Sequence, residues 1–323
     1  MENTMTAIKT TFLTLFALSL FTSCIYAQTP QSSDALVFCI TGDSRGKPKG
    51  ETINKDIIQK LTDAFKEEKP AFVLVSGDLV SGYSSKLEQQ LTEWRNTFMA
   101  PLLDAGIKVY PCRGNHDASP KKIAYNVWQK VFSGKFALPD NGPDGEKGAT
   151  YFLKDKNVLV LVLDLYGKKG PTHKVNTAWM EKVIKEEKGN NPMHVFAMAH
   201  EPAFRARHKD CLASKPAERD KFLELLLSNG GVCYFCGHDH FYSHAKVALD
   251  KGEFHQFICG TAGAPLYDWK GKYADTRVKE IKADKAFGYM VVKIKGNTAV
   301  LTAKAWDKKG KLTTVDEFSY TLK

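Results

Sequence analysis

Seven side chains able to hold a metal ion or move a proton stand directly after short apolar runs: Asp43, Asp78, Asn115, His116, His200, His238 and His240. A lone aspartate after a strand usually caps a helix or forms a turn, and a lone histidine usually satisfies a local hydrogen bond. Their joint placement, seven residues at five strand-like ends, predicts a metal site instead. Carboxylates, an amide oxygen and imidazoles, with no thiolate among them, suit a hard or borderline divalent ion. A carboxylate can bridge two such ions, and a pair about 3.5 to 4 Å apart both activates water and neutralises charge on a phosphoryl group. In Gly237-His238-Asp239-His240 the histidines are at i and i+2, so an extended segment aims both to one side. Glycines beside the candidate ligands let the backbone turn sharply and approach an ion.

The elements that must position these residues alternate in period. Leu36 to Ile40 is continuously apolar, and Ile53, Ile57, Ile58, Leu61 and Phe65 then recur at helical spacing. Ala71 to Val75 ends in Gly77-Asp78 and is followed by Leu87, Leu91, Trp94, Phe98 and Leu102 on one helical stripe. Ile107 to Cys112 ends in Gly114-Asn115-His116-Asp117, with a helix beginning near Pro120. Buried strands separated by amphipathic helices predict parallel pairing through right-handed crossovers, and ligands in such sheets bind beyond the carboxyl ends of the strands. Ala149 to Leu153 and Val158 to Leu163 read as a hairpin, Met193 to Ala199 and Val232 to Cys236 as further strands, and Pro216 to Asn229 as a helix. Turn signals at Gly296-Asn297 and at Asp307 to Gly310 divide the tail into an antiparallel meander. The expected class is α/β, a mixed pair of sheets packed face to face and flanked by helices, in one domain over residues 28–323.

In order, Gly42-Asp43-Ser44-Arg45, Gly77-Asp78, Gly114-Asn115-His116-Asp117, Ala199-His200-Glu201-Pro202 and Gly237-His238-Asp239-His240 resemble the motifs of the calcineurin-like metallophosphoesterases, which include the purple acid phosphatases. The resemblance implies a four-layer α/β/β/α sandwich and an enzyme hydrolysing phosphate monoesters or diesters. It implies two divalent ions such as manganese, iron or zinc. Asp78 would bridge them, with Asn115, His200 and His238 on one ion and Asp43 and His240 on the other. His116 would protonate the leaving oxygen, a task suited to imidazole because its unperturbed pKa lies near neutrality. Asp117 reads as a supporting residue or a cap. Arg45 departs from the pattern, since many members carry histidine there, and a permanently protonated guanidinium cannot replace that ligand. The first ion is then held by fewer ligands, recruits water or Tyr83, or gives way to the guanidinium, leaving one metal. Arg45 itself is a candidate catalytic residue that grips phosphate oxygens in a bidentate fork, or else a structural ion pair. The alternative to an enzyme with two ions or one is a phosphate-ligand or polyanion-binding protein whose catalysis decayed when the first site acquired Arg45.

Composition narrows the remaining classes. The 323 residues are 43% hydrophobic and 25% charged, which excludes a disordered or collagen-like chain. The net charge of +10 favours an anionic substrate, but lysines alternate with acids, as in Lys66-Glu67-Glu68-Lys69, and no basic stripe interleaved with aromatics marks a nucleic-acid surface. Residues 1–27, with Lys9, the apolar run Thr11 to Phe21 and Ala27, read as a secretory signal peptide, so the mature chain is expected in the periplasm or outside the cell. Phe21-Thr22-Ser23-Cys24 is an imperfect lipoprotein box, the lesser option. No later stretch has the length of a transmembrane span. The other six cysteines read as buried thiols rather than disulfides, and Cys233 and Cys236 lack the turn and helix start of a redox pair. The basic stretch Ala203 to Lys209 is either a substrate contact or a solvated loop. Tyr267 and Trp269 read as packing residues ahead of stacking ones.

Overall fold

A computed structural model describes residues 35–46, 50–168 and 170–322; the expected export signal and Cys24 lie outside them. The first half of the chain runs β1 (Leu36–Thr41), α1 (Lys55–Glu68), β2 (Phe72–Val75), α2 (Leu87–Trp94), α3 (Ala100–Asp104), β3 (Lys108–Pro111), α4 (Lys121–Val131), β4 (Tyr151–Asp155) and β5 (Val158–Val162). The second half runs α5 (Thr177–Lys188), β6 (His194–Met198), α6 (Pro216–Leu227), β7 (Cys233–Cys236), β8 (Tyr242–Leu249), β9 (Gly252–Cys259), β10 (Val278–Asp284), β11 (Gly288–Lys295), β12 (Thr298–Trp306) and β13 (Leu312–Thr321).

The strands form two mixed sheets, ordered β13-β12-β11-β1-β2-β3 and β10-β8-β9-β7-β6-β5-β4. In the first sheet β1, β2 and β3 pair in parallel, as their intervening helices require, and the tail adds an antiparallel meander through β11. In the second, β5, β6, β7 and β9 are parallel and the β4–β5 hairpin closes one edge. With helices outside both sheets, this is the four-layer α/β/β/α sandwich that the motifs implied. No helix among the described residues is long and apolar enough to cross a membrane.

Burial explains the order of layers. Phe38 on β1 is fully buried, stacks on Phe72 of β2 at 5.0 Å and meets Phe196 of β6, in the other sheet, edge-on at 5.6 Å. Outside the first sheet, α1 buries Ile57, Ile58, Leu61 and Phe65, the last meeting Tyr289 of β11 edge-on at 5.1 Å. Each such buried side chain contributes roughly 1.5 to 3 kcal/mol relative to exposure. The start of α1 is fixed by Asn54, whose side chain accepts from Ile57 N at 3.3 Å and donates to Gly263 O at 2.8 Å.

The stripe from Leu87 to Leu102 is not one uniform helix. A π-helical turn at Arg95–Met99 separates α2 from α3, where Pro101 has no amide to donate to the preceding turn. The motif-free stretch after His240 holds β8 and β9, which pair antiparallel, and β10, which adds beside β8. There the two sheets are joined by polar contacts: Tyr242 donates to Asp316 on β13 at 2.7 Å, His244 Nδ1 lies 2.8 Å from the same carboxylate, and His255 Nδ1 lies 2.8 Å from His244 Nε2. Cys39, Cys112, Cys211, Cys233, Cys236 and Cys259 are all buried and unpaired, as expected of structural thiols.

Candidate metal centre

All seven predicted residues gather at the carboxyl ends of β1, β2, β3, β6 and β7. Asp43, Asp78 and His238 adopt left-handed backbone, with φ of 61°, 51° and 70°. Such conformations are uncommon outside glycine and cluster where function demands them. Here the turn brings each side chain back over its own strand end. The neighbouring glycines let the loops close: a Cβ at Gly114 would lie 2.1 Å from Asp78 Oδ1, and one at Gly237 would lie 2.2 Å from Asp43 Oδ2.

Asp43, Asp78 and His200, all buried, each offer a ligand atom within 4.8 Å of the others. His200 Nδ1 lies 2.8 Å from the Ser76 carbonyl, which requires a donor there and leaves Nε2 a bare lone pair. Onto that lone pair converge Asn115 Oδ1 at 3.1 Å, Asp78 Oδ1 at 3.3 Å and His238 Nδ1 at 3.1 Å. Two oxygens and two imidazole nitrogens converging at this spacing form a donor set suited to a divalent cation. Burial holds His200 in its neutral form, lowering its pKa to about 4 against the pull of Asp78. Burial would also lower His238, but Asp210 and Asp78 outweigh it and push this imidazole up to about 9.

The second half of the site differs. His240 Nδ1 faces the Pro265 carbonyl at 2.9 Å, leaving Nε2 aimed at Asp43 Oδ1 at 3.6 Å. Burial raises Asp43 well above the usual carboxylate range, and nearby Asp78 adds to the rise. Burial would raise Asp78 too, yet His200, His116 and His238 together hold it low. Arg45 reaches into this half, its Nε 3.8 Å from Asp78 Oδ2, buried and without a hydrogen-bond partner. Burial and the Arg45 charge lower His240 to about 3.

His116 stands at the rim, with Nδ1 on the Ser81 carbonyl and Nε2 3.8 Å from Asp78 Oδ2. Asp117 supports the frame: its carboxylate accepts from Gly114 N at 2.8 Å, Leu79 N at 3.0 Å and Val80 N at 3.3 Å, tying the loops after β2 and β3 together. Tyr83 lies on the Asn115 side, accepting from Asn115 Nδ2 at 3.1 Å. Its hydroxyl thereby points the amide oxygen toward His200, rather than completing the Asp43 half as the sequence left open.

Two supporting carboxylates were not singled out from sequence. The segment carrying the paired histidines lies in the loop beyond β7 and, with His238 left-handed, is not the extended run expected from their i and i+2 spacing; Asp239 between them accepts from Arg207 N at 3.0 Å and His208 N at 3.2 Å, pinning the basic stretch after His200. Its place inside the motif was the available signal. Asp210 Oδ1 sits 3.4 Å from His238 Nε2, an ion-pair contact without hydrogen-bond geometry, and nothing in its local sequence marks it. Tyr267 stacks on His240 at 4.2 Å and Trp269 on Phe241 at 5.4 Å, so both are packing residues.

Comparison with solved structures returns the same fold. Among solved structures, the chain is similar to a purple acid phosphatase, PPD1, from yellow lupin (TM-score 0.66, 15% identity, 91% of this chain and 55% of that one). It is also similar to GAP50, the anchor in the inner membrane complex of Plasmodium (TM-score 0.62, 15% identity, 90% and 89%). A dimetal phosphatase from Danio rerio has TM-score 0.55 and 14% identity over 87% of this chain and 98% of that one. At these identities the likeness is one of fold. No curated protein matches the chain in sequence. The family model for calcineurin-like phosphoesterases matches residues 24–242, which contain all five motifs and every residue of the centre, and the chain therefore belongs to the calcineurin-like phosphoesterase family.

Proposed function

We propose that this chain is an exported hydrolase of phosphate esters that holds a divalent ion between Asp78, Asn115, His200 and His238. The observation that carries the proposal is the convergence of Asn115, Asp78 and His238 on the bare Nε2 of His200. When bound, such an ion supplies Lewis acidity toward the phosphoryl group and lowers the pKa of water. The chain's own residues do the rest. His116, held through Nδ1 on the Ser81 carbonyl, presents Nε2 on the Asp78 side and carries the proton to the leaving oxygen there. Arg45 supplies a fixed positive charge to phosphoryl oxygens from the Asp43 half. Tyr83 fixes the Asn115 amide, and Asp117 locks the two loops that carry Asp78 and Asn115. Export rests on Lys9, the apolar run Thr11 to Phe21 and the small residues up to Ala27.

The test is hydrolysis of an aryl phosphate monoester and diester by metal-stripped protein, then by the same protein supplied separately with manganese, zinc, iron, nickel or magnesium. Turnover restored by metal and abolished by H116N is expected, and the preferred ester names the class. One observation favours a second reading, a phosphate-ligand protein without turnover: the guanidinium of Arg45 occupies the Asp43 half. Phosphate binding without hydrolysis under any metal would establish that reading in place of the first.

A further inference from the structure

An open cavity of about 560 Å³ adjoins the centre, lined by Arg45, Thr52, Ser81, Tyr83, Gln90 and His116 among others. Its volume suits a small-molecule group rather than a polymer strand. One side carries the arginine proposed to hold phosphoryl oxygens, and another the imidazole proposed to protonate the leaving oxygen. The space beyond His116 is therefore where the leaving alcohol must extend.

Tyr83 forms a wall of that space, and its setting is unusual. It is 62% exposed, whereas Tyr267 and Trp269, beyond His240, are half-buried. Tyr267 lies against His240 and Trp269 against Phe241, but Tyr83 meets His116 at 87°, and no ring among the described residues lies parallel on it. Its backbone is left-handed, with φ of 48°, and it is pinned at both ends, by Tyr83 N to Ser119 O at 3.1 Å and by the hydroxyl to Asn115. An aromatic ring kept exposed on a fixed, strained backbone beside the reacting groups is a stacking surface already in place before a ligand arrives. Around it, Ser81 Oγ donates to Glu51 O at 2.8 Å and Gln90 Oε1 accepts from Gly82 N at 2.9 Å, which leaves the Ser81 oxygen and the Gln90 amide N–H to meet hydroxyl groups, and Glu51 adds an acidic side chain to the lining.

We infer that Tyr83 and the neighbouring polar wall form a subsite for a ring-bearing, hydroxyl-rich leaving alcohol, the chemistry shared by a sugar and a nucleoside. The inference rests on the phosphoesterase reading and adds the leaving-group class to it. Tyr83 acts here as a specificity-determining residue, distinct from its effect on Asn115 through the hydroxyl.

The experiment compares kcat/KM for glycerol 3-phosphate, glucose 6-phosphate and adenosine 5′-monophosphate in the metal-loaded wild type, Y83F and Y83L. The wild type is expected to favour at least one ring-bearing ester over glycerol 3-phosphate by about tenfold. Y83F should keep that ratio while losing rate on all esters, because the ring remains and only the contact to Asn115 is gone. Y83L should bring the ratio close to one. Which ester carries the preference identifies the source, sugar or nucleoside. Inhibition by free glucose and free adenosine gives a second readout, and the better inhibitor should weaken about tenfold in Y83L. A preference absent from the wild type, or equal in wild type and Y83L, overturns the subsite while leaving the phosphoesterase reading intact. No hydrolysis of any ester with any metal overturns both.

Discussion

Gly114→Ala tests how tightly the centre is built. The added Cβ would sit 2.1 Å from Asp78 Oδ1 and 2.4 Å from Asp78 N, where separations below 3.0 Å essentially never occur. Asp78 must therefore retreat by about 1 Å, and misplacement on that scale costs on the order of 100-fold in rate. Asp78 cannot move alone, because Oδ1 also accepts from His116 N at 3.0 Å and faces His200 Nε2 at 3.3 Å. The variant should thus lose about 100-fold in kcat/KM and bind its ion more weakly, at an overpacking cost of roughly 1 to 3 kcal/mol in stability. The assay pairs ester hydrolysis with calorimetric titration of the metal, and far-ultraviolet circular dichroism verifies that the variant is folded. A folded variant within threefold of the wild type in both measurements would refute the claim that Gly114 exists to admit Asp78.

Arg45 predicts the ion count. With its guanidinium 3.8 Å from Asp78 Oδ2 in the Asp43 half, native mass spectrometry of metal-loaded protein should show one tightly held ion per chain, and R45H should raise the count to two; two ions in the wild type would refute this. The joint between the sheets predicts acid lability. Burial lowers His255 to about 4, with His244 adding to the effect, so the unfolded chain binds more protons between that value and the unperturbed 6.5. Stability is therefore complete above pH 6.5 and falls as pH drops toward 4, by roughly 3 kcal/mol from this group. Urea unfolding should show H255Q losing less stability than wild type between pH 7 and pH 4.5, and equal losses would remove His255 as the cause. In the sheet interface, Phe38→Ala removes a fully buried ring lodged between Phe72 and Phe196 and should cost about 3 to 5 kcal/mol by urea unfolding, a loss under 1 kcal/mol being incompatible with this packing.

Legibility from sequence followed the physics of each region. β1, β2, β5, β6 and β7 are short apolar runs because both faces of a central parallel strand are buried, whereas β3, at the sheet edge, exposes Lys108; ligand-bearing loops follow β1, β2, β3, β6 and β7 at once. Motif and strand end are the same signal there, so fold and centre emerge together. β8 to β10 gave no such signal. His244 breaks the apolar pattern because it meets Asp316 of the other sheet, Gln256 because it bonds the Phe204 backbone in the loop after β6, and Glu280 because it accepts from Ser243 on the neighbouring strand; a polar residue satisfied by a distant segment looks in sequence like one facing water. The same logic separates the ligands from their supports. Asp43 and His238 are marked by the glycines that admit them, whereas Asp210 reaches His238 from 28 positions away with 56% of its side chain exposed. Tyr83 was visible only as a tyrosine near the second aspartate. Its role changed because a left-handed residue redirects its side chain, and that turn placed the hydroxyl on Asn115 and left the ring beside the cavity.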